Sequence, residues 1–239
     1  MTTTYRLLAK DAETQFPINE LLRRRWSSRA YADTPVDDAT LGSLFEAARW
    51  APSAGNGQPW SFVVAVRDRD PEGYDRALAV LNESNRIWVQ HAPVLLFAVT
   101  RRIREDGREH GRAQYDLGLA VESLVVQATD LGLIVRQMAG FDAVAARETF
   151  AIPAGYEPVA AIALGYPGEG AKLSDELRER ESAPRERKPL ESFVFGARFG
   201  ETYAGLRPEA RPGLAGRLQA LQAAIEAHDT NPNKNGTEQ

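Results

Sequence analysis

Three stretches of the chain place charged or amide side chains where they could act together. "RRRWSSRAY", residues 23–31, alternates Arg25, Ser27 and Arg29. In an extended or turning segment, alternate residues share a face. Two guanidinium groups and a hydroxyl on one face suit a phosphate, because arginine donates in a fork that matches phosphate oxygens. The same residues would also serve as a solvated basic helix end, which the helix dipole favours. "PRERKPL", residues 184–190, repeats the alternation with Arg185 and Arg187. Alone it reads as a surface linker. "APSAGNGQPW", residues 51–60, is a bare turn carrying Asn56 and Gln58. Ser53, Ala54, Gly55 and Gly57 let backbone approach a flat ligand closely. The plain alternative is a glycine-rich connection from helix to strand.

Other chemistries lack their signatures. No G-x-G-x-x-G follows the first apolar strand, and no P-loop or G-x-S-x-G elbow occurs. His91, His110 and His228 lie far apart, and there is no cysteine. Disulfides, iron–sulfur clusters and histidine- or cysteine-held metals are therefore not expected. No catalytic side chain stands out. An enzyme built this way would need a cofactor to bring the reactivity.

The elements that must position these residues follow from periodicity. Residues 17–25 read as a short helix. Residues 33–50 read as a stronger one, capped by Asp37 or Asp38 and stopped by Pro52. Residues 60–66 and 93–100 are β-branched apolar runs and read as buried strands. Between them, residues 71–82 return to helix, with Pro71 in the first turn. Residues 101–112 form a charged insertion without an apolar period. Residues 113–132 carry a wide apolar stripe, Leu117, Val121, Leu124, Val125, Ala128 and Leu131, and predict a long central helix. A short strand, a small helix over 142–150 and a third buried strand over 157–167 complete the pattern. Residues 168–189 read as polar and irregular. The alternation of strands and amphipathic helices predicts a three-layer α/β or α+β domain. The surplus apolar face of the central helix points to a homodimer.

The chain has 239 residues, 43% hydrophobic and 26% charged, with net charge −4. That balance suits a soluble globular protein and gives no pull toward nucleic acid or anionic membrane. No apolar run is long enough to span a bilayer, and no signal-peptide pattern opens the chain, so a cytoplasmic location is expected.

Taken in order, the motifs resemble the nitroreductase family of FMN-dependent oxidoreductases. The family pattern R-x-S-x-R-x-[FY] stands here as Arg25 to Tyr31. A helix ending in "AARWAPS" and then "NGQPW" follow. "NRIWVQHAPVLLFAV", "MAGFD", "EPVAAIALGYP" and "RERKPLESFVF" come in the family's order, so the resemblance covers about residues 21–195. It implies an α+β, three-layer fold with a central, mostly antiparallel sheet flanked by helices, in an intertwined homodimer with FMN at the interface. It implies an N-terminal arm over 1–20 and an FMN-binding domain over 21–200. Past the reach of the resemblance, the residues themselves read as a helical extension over 201–228 and a disordered tail over 229–239.

By the same resemblance, Arg25, Ser27 and the Trp26 backbone would hold the FMN phosphate, with Arg185 and Arg187 completing the clamp. Arg29 would sit near the N1/O2 edge, where positive charge stabilises the reduced ring. Pro52, Ser53, Ala54 and Asn56 would come from the other subunit, while Gln58 and Trp60 fix the turn and the core. Asn85 would bond the pyrimidine end, and Gln137, Ala139 and Gly140 would pass their backbone by the ring. Ala54 and Ala139 depart from residues common in the family, a second serine and an acidic residue. Tyr31, His110, Arg112 and Tyr115 are candidate substrate contacts. The implied reaction is hydride transfer from NAD(P)H through flavin N5 to a nitroaromatic, quinone or similar electrophile. A dehalogenase, an azoline dehydrogenase, a flavin-cleaving enzyme and a non-catalytic flavin-binding protein are the alternatives within the fold.

Overall fold

The computed structural model describes residues 10–104 and 106–206. The chain divides into two compact units between Arg185 and Glu186. The first contains helices α1 (Glu20–Arg24), α2 (Asp38–Arg49), α3 (Pro71–Ala79), α4 (Glu83–Val89), α5 (Ala113–Asp130), α6 (Ala143–Thr149) and α7 (Asp175–Ser182). Its strands are β1 (Trp60–Val66), β2 (Val94–Arg101), β3 (Ile134–Met138) and β4 (Tyr156–Gly165). The strands form one sheet in the order β1-β2-β4-β3, and every neighbouring pair is antiparallel. The α+β class and the antiparallel sheet expected from the sequence are both present.

The period of two along β2 explains the layering. Val94, Leu96 and Ala98 face one side, where they join Leu44, Ala48, Leu117, Leu124 and Ala128 from α2 and α5. Leu95 and Phe97 face the other, where they join Tyr74, Ala77, Trp88, Val89 and Ala146 from α3, α4 and α6. A strand apolar on both faces must be covered on both. Most of the apolar stripe of the central helix is used here, while Leu131 at its end stays exposed. Leu117, Leu124, Val125 and Ala128 are all buried against the sheet.

Local signals set several ends. Asp37 caps α2, its side chain accepting from Thr40 N at 2.7 Å. Asp70 caps α3 with Pro71 in the first turn. Two expectations need correction. The helix beginning at Pro71 stops at Ala79, and Asn82 caps a separate helix, α4, by accepting from Asn85 N at 3.2 Å. Residues 168–189 are not irregular throughout, because they contain α7. Ser174 caps it, Arg180 pairs with Glu176 at 2.7 Å, and Leu177 buries its one apolar side chain. A cap plus i,i+4 pairs can sustain a helix that shows almost no apolar stripe.

The 101–112 insertion folds back on itself. Ile103 bridges Glu109, and His110 N donates to Arg102 O at 2.7 Å. In the second unit, over residues 186–206, Leu190–Ser192 and Ala204–Leu206 are single 3₁₀ turns, and Phe195 bridges Thr202. The helix expected within 201–228, the tail over 229–239 and residues 1–9 of the arm lie outside the described residues. Among the described residues, no helix is long and apolar enough to cross a membrane.

Leu124 sits at the centre of the α5–sheet contact with no solvent exposure. Leu124→Ala should lower unfolding stability by about 3 kcal/mol through lost burial and a residual cavity. Urea denaturation of the variant against the parent measures this.

Candidate functional site

Helix α1 is one and a half turns long. Asn19 caps it by accepting from Leu21 N at 2.9 Å, and Arg25 leaves it in an extended conformation. That exit puts Arg25 and Ser27 on one face, with Arg25 Nη1 at 3.5 Å from Ser27 Oγ. Arg185 arrives from far along the chain, and its Nη1 donates to Arg23 O at 3.1 Å. The two basic stretches singled out in the sequence therefore meet through Arg185. Arg187 belongs to the second unit, where its Nη1 donates to Glu186 O at 2.7 Å. The Trp26 indole carries the Lys10 ammonium 4.7 Å from its ring centre.

Arg29 is held by a residue that the sequence reading passed over. Glu181 of α7 is 6% exposed. Its Oε1 accepts from Arg29 Nη1 at 2.9 Å, and its Oε2 accepts from Ser28 Oγ at 2.7 Å and Arg29 N at 3.1 Å. Arg136 of β3 joins the cluster. Its Nη1 donates to Ser27 O, and its guanidinium lies 5.6 Å from the Trp88 ring, against 6.0 Å for Arg29. Burial, and then the nearby Arg29 charge, hold the Arg136 pKa below its ordinary value, while Glu181 pulls it back up. A charged residue inside the apolar run "LIVRQM" was the available signal for Arg136. No local pattern in the sequence marked Glu181.

The turn that carries Asn56 is tightly wound. Gly55, Asn56 and Gln58 have φ of 58°, 54° and 40°. Left-handed backbone is costly at the two non-glycine positions and persists only where surroundings impose it. Here Ser53 Oγ accepts from Gln58 N at 3.1 Å, Gln58 Nε2 donates to Asn56 Oδ1 at 3.1 Å, and the buried Asp116 accepts from Ala54 N at 3.1 Å. Gln58 and Trp60 thus serve the turn and the core as expected, with Trp60 packed against the α2–α5 side. The result is an outward wall on which Pro52, Ala54 and Asn56 are exposed. Pro52, Ser53 and Ala54 line a cavity of about 400 Å³ with Arg112, Tyr115, Asp116 and Leu119.

A third group forms where β3 ends. Gly140 O accepts from Asn85 Nδ2 at 3.0 Å and from Asn82 N at 3.1 Å. Gln137 and Ala139 are exposed beside it. A Cβ on Gly140 would lie 2.4 Å from Asn82 Nδ2 and 2.5 Å from Asn85 Nδ2, so a side chain there would have to push these amides aside. Asn85 and Gly140, distant in sequence, are brought together.

The four candidate substrate contacts separate. Arg112 and Tyr115 open onto the cavity, and Tyr115 is 69% exposed. Tyr31 is instead committed to the core. It is 4% exposed, donates to Ala163 O at 3.1 Å and stacks on Trp88. Burial pushes its phenol pKa far above the ordinary value. His110 is also buried, packed under the turn beside Gly57, and neither ring nitrogen has a hydrogen-bond partner.

The sequence profile of the nitroreductase family matches residues 22–166. The chain belongs to the nitroreductase family. A solved structure described as an oxidoreductase containing FMN is 35% identical, with a TM-score of 0.75, covering 80% of this chain and 96% of that one. A Thermus thermophilus NADH dehydrogenase is 31% identical over 210 residues, 73% of this chain and 92% of its own. A Streptomyces coelicolor protein named for NADH dehydrogenase/NAD(P)H nitroreductase is 32% identical over 158 residues, 58% of this chain and 77% of its own. The reaction class of this nitroreductase-family chain is oxidoreduction. The profile match spans the arginine–serine segment, the 53–58 turn, Asn85 and residues 137–140. Glu181, Arg185 and Arg187 lie beyond its end.

Two outcomes check these placements. Gly140→Ala should displace the Asn85 amide and weaken flavin binding roughly fivefold or more, the equivalent of one lost hydrogen bond. A fluorescence titration with FMN reads this. Tyr31→Phe should lower stability by about 1 kcal/mol, by leaving Ala163 O without its donor. It should leave KM for the electron acceptor unchanged, and urea denaturation with steady-state kinetics checks both.

Proposed function

We propose that this chain is an FMN-dependent NAD(P)H oxidoreductase that reduces nitroaromatic, quinone or similar electrophiles, acting as a cytoplasmic homodimer. The observation that carries the reading is the convergence on the extended segment after α1. There Arg25 and Ser27 share a face and Arg185 docks on the carbonyl of Arg23. That donor set has the chemistry of a phosphate site, and charge-assisted hydrogen bonds of this kind net roughly 1.5–3 kcal/mol each. The solved relative that contains FMN and the relative named for NAD(P)H nitroreductase support the choice of cofactor and hydride source.

The residues present fit FMN in kind. Arg25, Ser27 and Arg185 hold the phosphate, with the Trp26 backbone beside them. Arg29 presents positive charge to the ring. Asn85 meets the polar pyrimidine edge, and the backbone of Gln137, Ala139 and Gly140 runs along the ring. In the homodimer, Pro52, Ser53, Ala54 and Asn56 of one copy wall the site of the other. The exposed, rigid turn supports that role, as do the neighbouring exposed aromatics Trp50 and Tyr115. Bound FMN supplies the hydride chemistry, accepting from a reduced nicotinamide and donating to the electrophile. The chain orients the two reactants, excludes water and fixes positive charge. Arg112 and Tyr115, at the cavity mouth, meet the acceptor.

Steady-state oxidation of NADH or NADPH with a nitroarene or quinone as acceptor tests this function. Acceptor-dependent turnover is expected, and its absence with every acceptor would refute it. Arg25→Ala should weaken FMN binding roughly 10- to 150-fold, by loss of a charge-assisted contact. Unchanged affinity would remove Arg25 from the phosphate site.

A further inference from the structure

Glu181 and Arg136, which surround Arg29, have no part in the reading above. We propose that Glu181 is a positioning residue for Arg29, and that with Arg136 it sets how much positive charge reaches the bound flavin. The inference rests on the proposed flavin site and deepens it.

The geometry of Glu181 is specific. One carboxylate holds Arg29 at both ends, through its backbone N at 3.1 Å and its guanidinium at 2.9 Å. An arginine tied at both ends loses the rotamer freedom of a long side chain. Ser28 is the brace. Its hydroxyl donates to Glu181 at 2.7 Å and accepts from Ala30 N at 3.0 Å, and its side chain is buried. The arrangement fixes residues 28–30 as a unit, so Arg29 points the same way with or without a ligand. Such preorganisation costs nothing when charge develops on a reacting group.

The charges do not balance within the cluster. Arg29 and Arg136 both lie about 6 Å from the Trp88 ring, and Glu181 is the carboxylate between them in their mutual electrostatics. The side chains of Arg29 and Glu181 are 16% and 8% exposed, so water screens them little. Two guanidiniums and the nearby Lys10 ammonium against one carboxylate leave a net positive environment. A ring that gains electrons is favoured by positive charge and disfavoured by negative charge. Glu181 therefore lowers the flavin midpoint potential through Arg29, and Arg136 raises it. The net charge, rather than Arg29 alone, decides how readily the cofactor gives its hydride away.

The test compares Glu181→Gln, Arg136→Met and Ser28→Ala with the parent, all loaded with FMN. Two quantities are read for each, the FMN dissociation constant and the two-electron midpoint potential against reference dyes. Glu181→Gln keeps the shape and removes the negative charge, so its potential should rise. Arg136→Met removes a positive charge, so its potential should fall. Ser28→Ala removes the brace without changing charge, so its potential should shift less than that of either charge variant. Each tenfold change in the ratio of oxidised to reduced FMN affinity reads as about 30 mV. Loaded charge variants whose potentials stay at the parent value would overturn the proposal. So would charge variants that move in the same direction, or a shift in Ser28→Ala as large as in Glu181→Gln. If Glu181→Gln does not fold, Arg136→Met still decides by the presence or absence of the fall. A parent chain that binds no FMN would instead refute the flavin site itself, and this inference with it.

Discussion

Strand β2 buries seven consecutive residues, from Val94 to Thr100, and so requires cover on both faces of the sheet. The rest of the first unit answers that requirement. Helices α2 and α5 close one face, and α3, α4 and α6 close the other. The functional segments lie at the margins of these layers. The 53–58 turn links α2 to β1, and the Asn85–Gly140 contact joins α4 to the end of β3. Arg29 and Arg136 meet over Trp88, which is itself buried in the second layer. The site is therefore mounted on packed elements, and its polar groups are held by hydrogen bonds to neighbours that cannot easily move.

Much of this was legible in the sequence because the signals were local. The Asp37 cap and the Pro71 start set the beginnings of α2 and α3, and the apolar run 60–66 is β1. The composition of "APSAGNGQPW" marked a turn, and the structure supplies the reason for its glycines and amides. Gly55 takes a left-handed conformation, a Cβ on Gly57 would press on His110, and Gln58 bonds Asn56. The order of the motifs carried the family, which the profile match and the fold bear out.

What stayed hidden depends on contacts between distant residues. Glu181 meets Arg29 across 152 positions, and no spacing rule reaches that far. Helix α7 was missed because its stability comes from a cap and ion pairs rather than from an apolar stripe. Tyr31 read as a site residue because it closes the arginine–serine motif, yet its phenol is spent on Ala163 O in β4. His110 lies in a charged insertion that reads as surface, yet the hairpin turns it inward beneath Gly57. In each case the tertiary arrangement overrode a local pattern that pointed elsewhere.

The central claim is that the arginine-lined site holds FMN and that a nicotinamide reduces it. The most direct measurement is the visible absorption spectrum of the purified protein, before and after NADH or NADPH is added without oxygen. The account predicts a flavin spectrum that bleaches with at least one of the two nucleotides. A colourless protein that cannot be reconstituted with FMN, or a flavin band that neither nucleotide bleaches, would contradict it.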